Sequence, residues 1–175
     1  MIKYPFTLIY LISSLIIIVL PFYWWTYNFG GLVVIETSPF QMSIYFLGTF
    51  LKISYVISAA LEAFRIFLII VISRDIYLFL KGKIIIRNRI LLMLTISYLV
   101  YPLVIYVVIT YLMSSHGIYS NYSFLEIGKE LVSVKYENVN LLLTFTFYPQ
   151  IIYWIALAIS FLFIPSYLET RKLKK

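Results

Sequence analysis

Long apolar runs broken by a few short polar stretches dominate the chain. A bilayer core about 30 Å thick needs about 20 apolar residues in helix to cross it. Four segments reach that length: residues 4–24, 53–73, 90–113 and 141–164. The pattern therefore predicts an all-α integral membrane protein, a four-transmembrane-helix bundle in a single domain over residues 1–175. The first segment ends in Leu20-Pro21-Phe22-Tyr23-Trp24-Trp25 without a small-residue cleavage site, which favours an uncleaved span over a signal peptide.

Between the spans lie two loops on one side, residues 26–41 and 114–140. In the first, Asn28 and Gly30-Gly31 supply turn chemistry, and residues 32–35 form a short β-branched run closed by Ser38-Pro39. In the second, Ser123-x-x-Glu126 has capping-box spacing, with Phe124, Ile127 and Leu131 at helical intervals after it. Val132, Val134 and Tyr136 then alternate with Ser133, Lys135 and Glu137, as in a strand. The loops are expected to form a small outer lid of one short helix and two short strands, the second strand pairing with residues 32–35. Asn121-Tyr122-Ser123 matches the N-glycosylation pattern and makes Asn121 a candidate modification site.

Charge sets an orientation. Ten of the fourteen basic residues fall at one end: Lys3, Arg74, Lys81, Lys83, Arg87, Arg89, Arg171, Lys172, Lys174 and Lys175, opposed there by Asp75 and Glu169. The other end carries Lys52, Lys129 and Lys135 against Glu36, Glu126, Glu130 and Glu137. The positive-inside rule places the basic end, with both termini, in the cytoplasm at the cell membrane. A pI near 9.5 then reflects topology and contact with anionic headgroups, and nucleic acid is not an expected partner. Phe22, Tyr23, Trp24, Trp25 and Tyr27 read as an interfacial aromatic belt.

Composition agrees: 63% of residues are hydrophobic and 12% charged, against roughly 25% charged in soluble domains. Heavy use of Ile and Tyr with little Gln resembles the style of heat-adapted archaeal proteins. The chain has no cysteine and one histidine, His116. Disulfides, thiolate metal sites and bis-histidine haem are excluded within it. With no paired-acid motif, phosphate-binding glycine loop or metal-spaced cluster, no catalytic role, cofactor or metal is expected.

The second span holds the one constellation that asks for a reason. Glu62 and Arg65 stand near its middle, and one charge at a helix centre costs about 2.5–3.5 kcal/mol on insertion scales. Ser54, Ser58, Glu62 and Arg65 follow at steps of four, four and three, forming one polar stripe that should face protein. Ala59 and Ala63 beside it, and Ala156 and Ser160 on the fourth span, are small-xxx-small pairs suited to close helix packing. Pro102 and Pro149, flanked by Tyr101, Tyr148 and Gln150, would free carbonyls that Arg65 could reach. The stripe reads as a clamp fixing helix register. The competing readings are a proton or ion path through Glu62, or its contact with a quinone or lipid headgroup, and pairing of Glu62 or Arg65 with another subunit.

Four spans with a larger second outer loop resemble the tetraspanin layout, and Gly30-Gly31-Leu32-Val33-Val34 resembles the first outer loop of claudin-like proteins. The loop cysteines of both families are absent, so no family is assigned. The expectation is a non-catalytic accessory subunit of a larger membrane complex, respiratory or transport, whose partners are the bilayer and other membrane subunits. The alternatives are a transporter or channel subunit using Glu62, and a surface adhesion or envelope protein acting through its loops.

Overall fold

Helices at the apolar runs and a large sheet between them make up the chain. The computed structural model describes residues 4–82, 88–115, 117–123, 127–136 and 139–171. Five helices are present there: α1 (Pro5–Val19), α2 (Ile53–Leu80), α3 (Ile90–Ser115), α4 (Ile151–Phe161) and α5 (Phe163–Arg171). Seven strands accompany them: β1 (Trp25–Phe29), β2 (Val33–Ser38), β3 (Gln41–Phe46), β4 (Thr49–Phe50), β5 (Ile118–Ser120), β6 (Gly128–Tyr136) and β7 (Val139–Pro149). They form one antiparallel half-barrel in the order β4-β3-β2-β1-β7-β6-β5. The all-α four-helix bundle is thereby corrected.

Two of the four expected spans overran their helices, one into a strand and one into the connection before a strand. Residues 141–149 belong to β7, and helix begins only at Ile151. Phe145 and Phe147 point inward between Thr144 and Thr146, a period of two that a buried helix would not need. Pro149 ends the strand and is not a mid-helix kink. At the other end of the chain α1 stops at Val19, Pro21 follows shortly, and β1 begins at Trp25. Pro102, by contrast, does lie inside α3. The break between α4 and α5 falls at Leu162, because Pro165 has no N–H to return to the carbonyl four residues back.

The outer lid is also corrected. Residues 32–35 fall largely in β2, which pairs with β1 and β3, while β6 pairs with β5 and β7. Leu131, expected in a short helix, sits in β6; Phe124, Glu126, His116 and Glu137 lie outside the described residues.

Two layers result. In one, α1 packs on α2, α4 and α5, and α4 on α3. Its floor joins α1 to α5: the Glu169 carboxylate accepts from the Phe6 and Thr7 N–H groups at 3.3 and 3.0 Å and from the Thr7 hydroxyl at 3.0 Å. A negative charge there also meets the positive end of the α1 dipole. In the other layer, α2 and α3 run on past the ends of α1 and α4 and meet the sheet. Gln150 N–H donates to the Trp24 carbonyl at 2.7 Å, marking the rim where the layers join.

Rings cover the inner face of the sheet. Trp25, Tyr27, Phe29, Phe145 and Phe147 are buried with Val132 and Val134. Against them stand Tyr98, Tyr101 and Tyr106 of α3, through the pairs Trp24–Tyr98, Tyr27–Tyr101 and Tyr106–Tyr122 at 5.3, 6.1 and 5.1 Å between ring centroids. Such pairs contribute about 0.5–1.5 kcal/mol each beyond area burial. Ala156 and Ser160 are fully buried in α4, as close packing requires.

The β1–β2 turn needs its glycines. Gly30 and Gly31 have φ of 62° and 76°, and the Asn28 Oδ1 accepts from Gly31 N–H at 2.7 Å. A Cβ on Gly30 would lie 2.7 Å from Leu143 Cβ, whereas one on Gly31 meets nothing within 4 Å. Gly31→Ala should therefore cost about 1–2 kcal/mol from backbone strain alone, and Gly30→Ala more. Thermal unfolding in detergent reads the difference; equal midpoints for the two variants would refute the close approach of β1 to β7.

Candidate functional site

The polar stripe of α2 faces a strand. Ser54 Oγ accepts from Ile44 N–H at 2.9 Å and donates to the Ile44 carbonyl at 3.4 Å. One helical turn on, Ser58 Oγ accepts from Met42 N–H at 3.0 Å and donates to the Met42 carbonyl at 2.6 Å. Each hydroxyl satisfies both backbone groups of one edge residue, as a neighbouring strand would. The spacings permit it: four helical residues rise about 6 Å, close to the roughly 6.8 Å between alternate residues of a strand. With Leu51 N–H donating to Ile44 as well and β4 pairing with Tyr45 and Phe46, the β3 edge is closed.

Continuing the same steps brings Glu62 and Arg65 to Phe40 in the β2–β3 turn. Arg65 Nη1 lies 2.8 Å from Glu62 Oε2, and its guanidinium stands 5.5 Å from the centre of the Phe40 ring. The Arg65 side chain is 9% exposed and that of Glu62 47%. Arg65 Nε and Nη2 are buried without a hydrogen-bond partner among the described residues. The expected reach to carbonyls near Pro102 or Pro149 is not made. Phe40 packs on Trp24 at 6.0 Å, so the ion pair stands at the rim between the layers, one end covered and one end open.

Other expected residues take different places. Ala59 and Ala63 are exposed, so no helix among the described residues packs over them. Tyr148 and Gln150 flank the β7–α4 junction, where Gln150 Nε2 donates to Thr26 Oγ1 at 2.9 Å. Asn121 pairs with β6, its Oδ1 accepting from Ser133 N–H at 2.7 Å. At the basic end Asp75 is buried and accepts from Asn88 Nδ2 at 3.0 Å, while Arg74 reaches it from a largely exposed position. On the inner sheet face, burial pushes the Tyr27 phenol well above its usual pKa, with the neighbouring tyrosines adding to the shift.

One feature had no signal in the sequence. Below the outer sheet face a pocket of about 470 Å³ opens between the α1–β1 connection and the first turns of α4. Thr26, Glu36 and Gln150 line one wall; Phe22, Ile151 and Ile155 line the other. It joins residues far apart in the chain, and only the β1–β2 and β1–β7 pairings bring them together. Among the described residues no cluster of three or more His, Cys, Asp or Glu side chains could hold a metal ion.

Replacing Ser58 by Ala would leave the Met42 N–H and carbonyl unpaired, at about 1–3 kcal/mol; Ser54→Ala should free the Ile44 N–H, while the Ile44 carbonyl keeps the Leu51 N–H. Exposed Ser97, which bonds only within its own helix at Leu94, should tolerate Ala. Hydrogen exchange at the Met42 and Ile44 amides should accelerate in the matching variants alone. Unchanged protection would mean that the serines do not close this edge. Comparison of the chain with protein-family models, with characterised proteins and with solved structures returns no match.

Proposed function

We propose that the chain is a non-catalytic, multi-pass membrane subunit that acts by assembling with another membrane chain, carrying its half-barrel outside the bilayer. Three helical stretches, Ile53–Leu80, Ile90–Ser115 and Ile151–Thr170, are long and apolar enough to cross a membrane, and α1 is a shorter apolar helix. In this reading the layer of α1, α4 and α5 lies in lipid. The 20 residues of Ile151–Thr170 rise about 30 Å, and the stretch from Arg65 in α2 to its C-cap Lys81 about 24 Å. Exposed Phe6, Ile9, Ile12 and Ile16 on α1 and Ile70 on α2 suit contact with acyl chains. Lys81 and Arg89 then mark the cytoplasmic side, and Lys129, Ser133 and Lys135 on the outer sheet face meet water outside.

The observation that carries assembly is the apolar exposure of the outer halves of α2 and α3. Above the rim α2 packs on β3 and α3 on β5, and in each helix one flank remains bare and apolar. These flanks expose Tyr55 and Val56 on α2, and Leu103, Val104, Val107 and Val108 on α3. In water such a patch marks an interface. The small exposed residues Ala59, Ala60 and Ala63 continue the α2 flank down to bilayer level and suit a helix from a second membrane chain.

Because the chain has no cysteine, single introduced thiols report cleanly. An impermeant maleimide should label Ser133→Cys in intact cells and Lys81→Cys only after lysis. The reverse pattern overturns the orientation. For assembly, Ala63→Trp should leave the unfolding midpoint of the purified chain near that of the wild type, since the position is exposed, yet abolish a stoichiometric partner in mild-detergent purification. A partner retained, or a wild-type chain that purifies alone, counts against the reading; a partner that is a second copy makes the assembly a homo-oligomer.

A further inference from the structure

The rim pocket combines chemistry the assembly reading leaves unused. Glu36 sits at the lower end of β2, opposite Thr26 on β1 and Ser43 on β3, and contributes the one charged side chain of the pocket lining. Its polar neighbours are engaged elsewhere: the Tyr23 hydroxyl pairs with Ser43, and the Gln150 amide donates to Thr26. Among the described residues no hydrogen-bond donor or cation is within bonding reach of the Glu36 carboxylate. The facing wall is apolar and open outward, with Ile151 78%, Phe22 51% and Ile155 45% exposed. Trp154 and Phe161, also exposed, continue that flank along α4.

A carboxylate without a partner, set above an apolar wall that runs on into the lipid-facing side of a helix, specifies its occupant on two counts. The acid takes a donor, and a cationic one most strongly. The wall takes a chain of methylenes, each contributing about 0.8 kcal/mol when buried. One effect opposes a cation: the N–H groups of the first turn of α4 border the same space and favour negative charge. A helix end carries about half an elementary charge, less than the full charge of Glu36, so the balance stays with the cation. The volume lies within the range of small-molecule pockets, roughly 300–1,000 Å³, and suits a headgroup with the first part of a chain.

We infer that this pocket holds the headgroup of a membrane lipid bearing a protonated amine, with the ammonium on Glu36 and the start of the acyl chain along Ile151 and Ile155. The inference rests on the proposed placement of α4 in lipid. Phosphatidylethanolamine, its N-acetylated form (which lacks the ammonium) and phosphatidylglycerol are the probes. Each is titrated into the full chain in dodecyl maltoside, and bound lipid is counted by native mass spectrometry. Wild type should prefer phosphatidylethanolamine to the other two by about tenfold, the scale of one charge-assisted hydrogen bond. Glu36→Gln should remove the preference, while Glu62→Gln, a half-exposed carboxylate outside the pocket, keeps it. Ile151→Trp, which fills the space from an exposed position and leaves the acid in place, should weaken all three lipids at this site, and it serves alone if Glu36→Gln does not fold. Equal binding of the three lipids by wild type overturns the site, as does a preference that survives both Glu36→Gln and Ile151→Trp. Thiol labelling that fails while the amine preference holds discards the membrane orientation alone. Labelling that succeeds with no preference discards this site alone.

Discussion

The edge of β3 is the constraint from which the rest of the architecture follows. A seven-stranded sheet beside a bilayer would present unpaired N–H and carbonyl groups where water is scarce, at a cost of several kcal/mol each in hydrocarbon. Closing the barrel would remove the edge. Here a helix does so instead, through two serines one turn apart that each bond both backbone groups of one edge residue. That seam fixes the register of α2 against β3. A shift of one residue on either partner would carry the hydroxyls away from Met42 and Ile44. It also fixes the height of Arg65, which reaches Phe40 because Ser58 has already met Met42.

With α2 held on one flank, the inner aromatic face of the sheet closes on α3. Trp24 is the joint: it contacts Phe40, Tyr98 and Tyr153, touching the β2–β3 turn, α3 and α4 together, while its carbonyl accepts from Gln150. A belt of rings at a lipid boundary and a core of rings inside a folded cap ask for the same residue types. Among the cluster at the end of α1, Trp24, Trp25 and Tyr27 are core and Phe22 remains open. The same shift changes the meaning of the Glu62–Arg65 pair. At mid-membrane its burial would need a strong compensating reason. At the rim Glu62 is half open, and Arg65 gains a ring face and one carboxylate, a combination that asks little of the surrounding helices and gives Glu62 no enclosed path.

What the sequence made legible follows from period and length. The cores of α2 and α3 were readable because each apolar run continues past 20 residues with no competing pattern, and Gly30-Gly31 because two positive φ angles call for glycine. The strand at Val132, Val134 and Tyr136 showed through its alternation. β7 was hidden by its neighbour: residues 141–164 read as one apolar run, although Thr144-Phe145-Thr146-Phe147 already carries a period of two. A buried strand that feeds directly into an apolar helix looks like one longer helix when length decides. The stripe at Ser54 and Ser58 was visible, but its partner was not, since a four-residue helical step also matches a two-residue strand step. The rim pocket left no trace at all. Its carboxylate and the α4 part of its apolar wall are more than a hundred residues apart, joined only by strand pairing.

The last step concerns the asymmetry of the cap. The half-barrel holds α3 through its rings and α2 through the β3 edge, and the flanks that the two helices leave bare differ in kind from the outer sheet face. The outer sheet face alternates apolar with polar residues, Lys129, Ser133 and Lys135 among them, whereas Val56, Leu103, Val104, Val107 and Val108 are apolar without relief. A solvated helix face would carry charge at some of those positions, as surface helices do. A chain acting through its sheet alone, as an adhesion protein would, has no need to keep those flanks apolar above the rim. A chain acting through a conduit would enclose its carboxylate, and here the Glu62 side chain is 47% exposed. In the proposed assembly, a partner helix laid along the bare flank of α2 covers Val56 and meets the small residues Ala59, Ala60 and Ala63 where two helices would come closest.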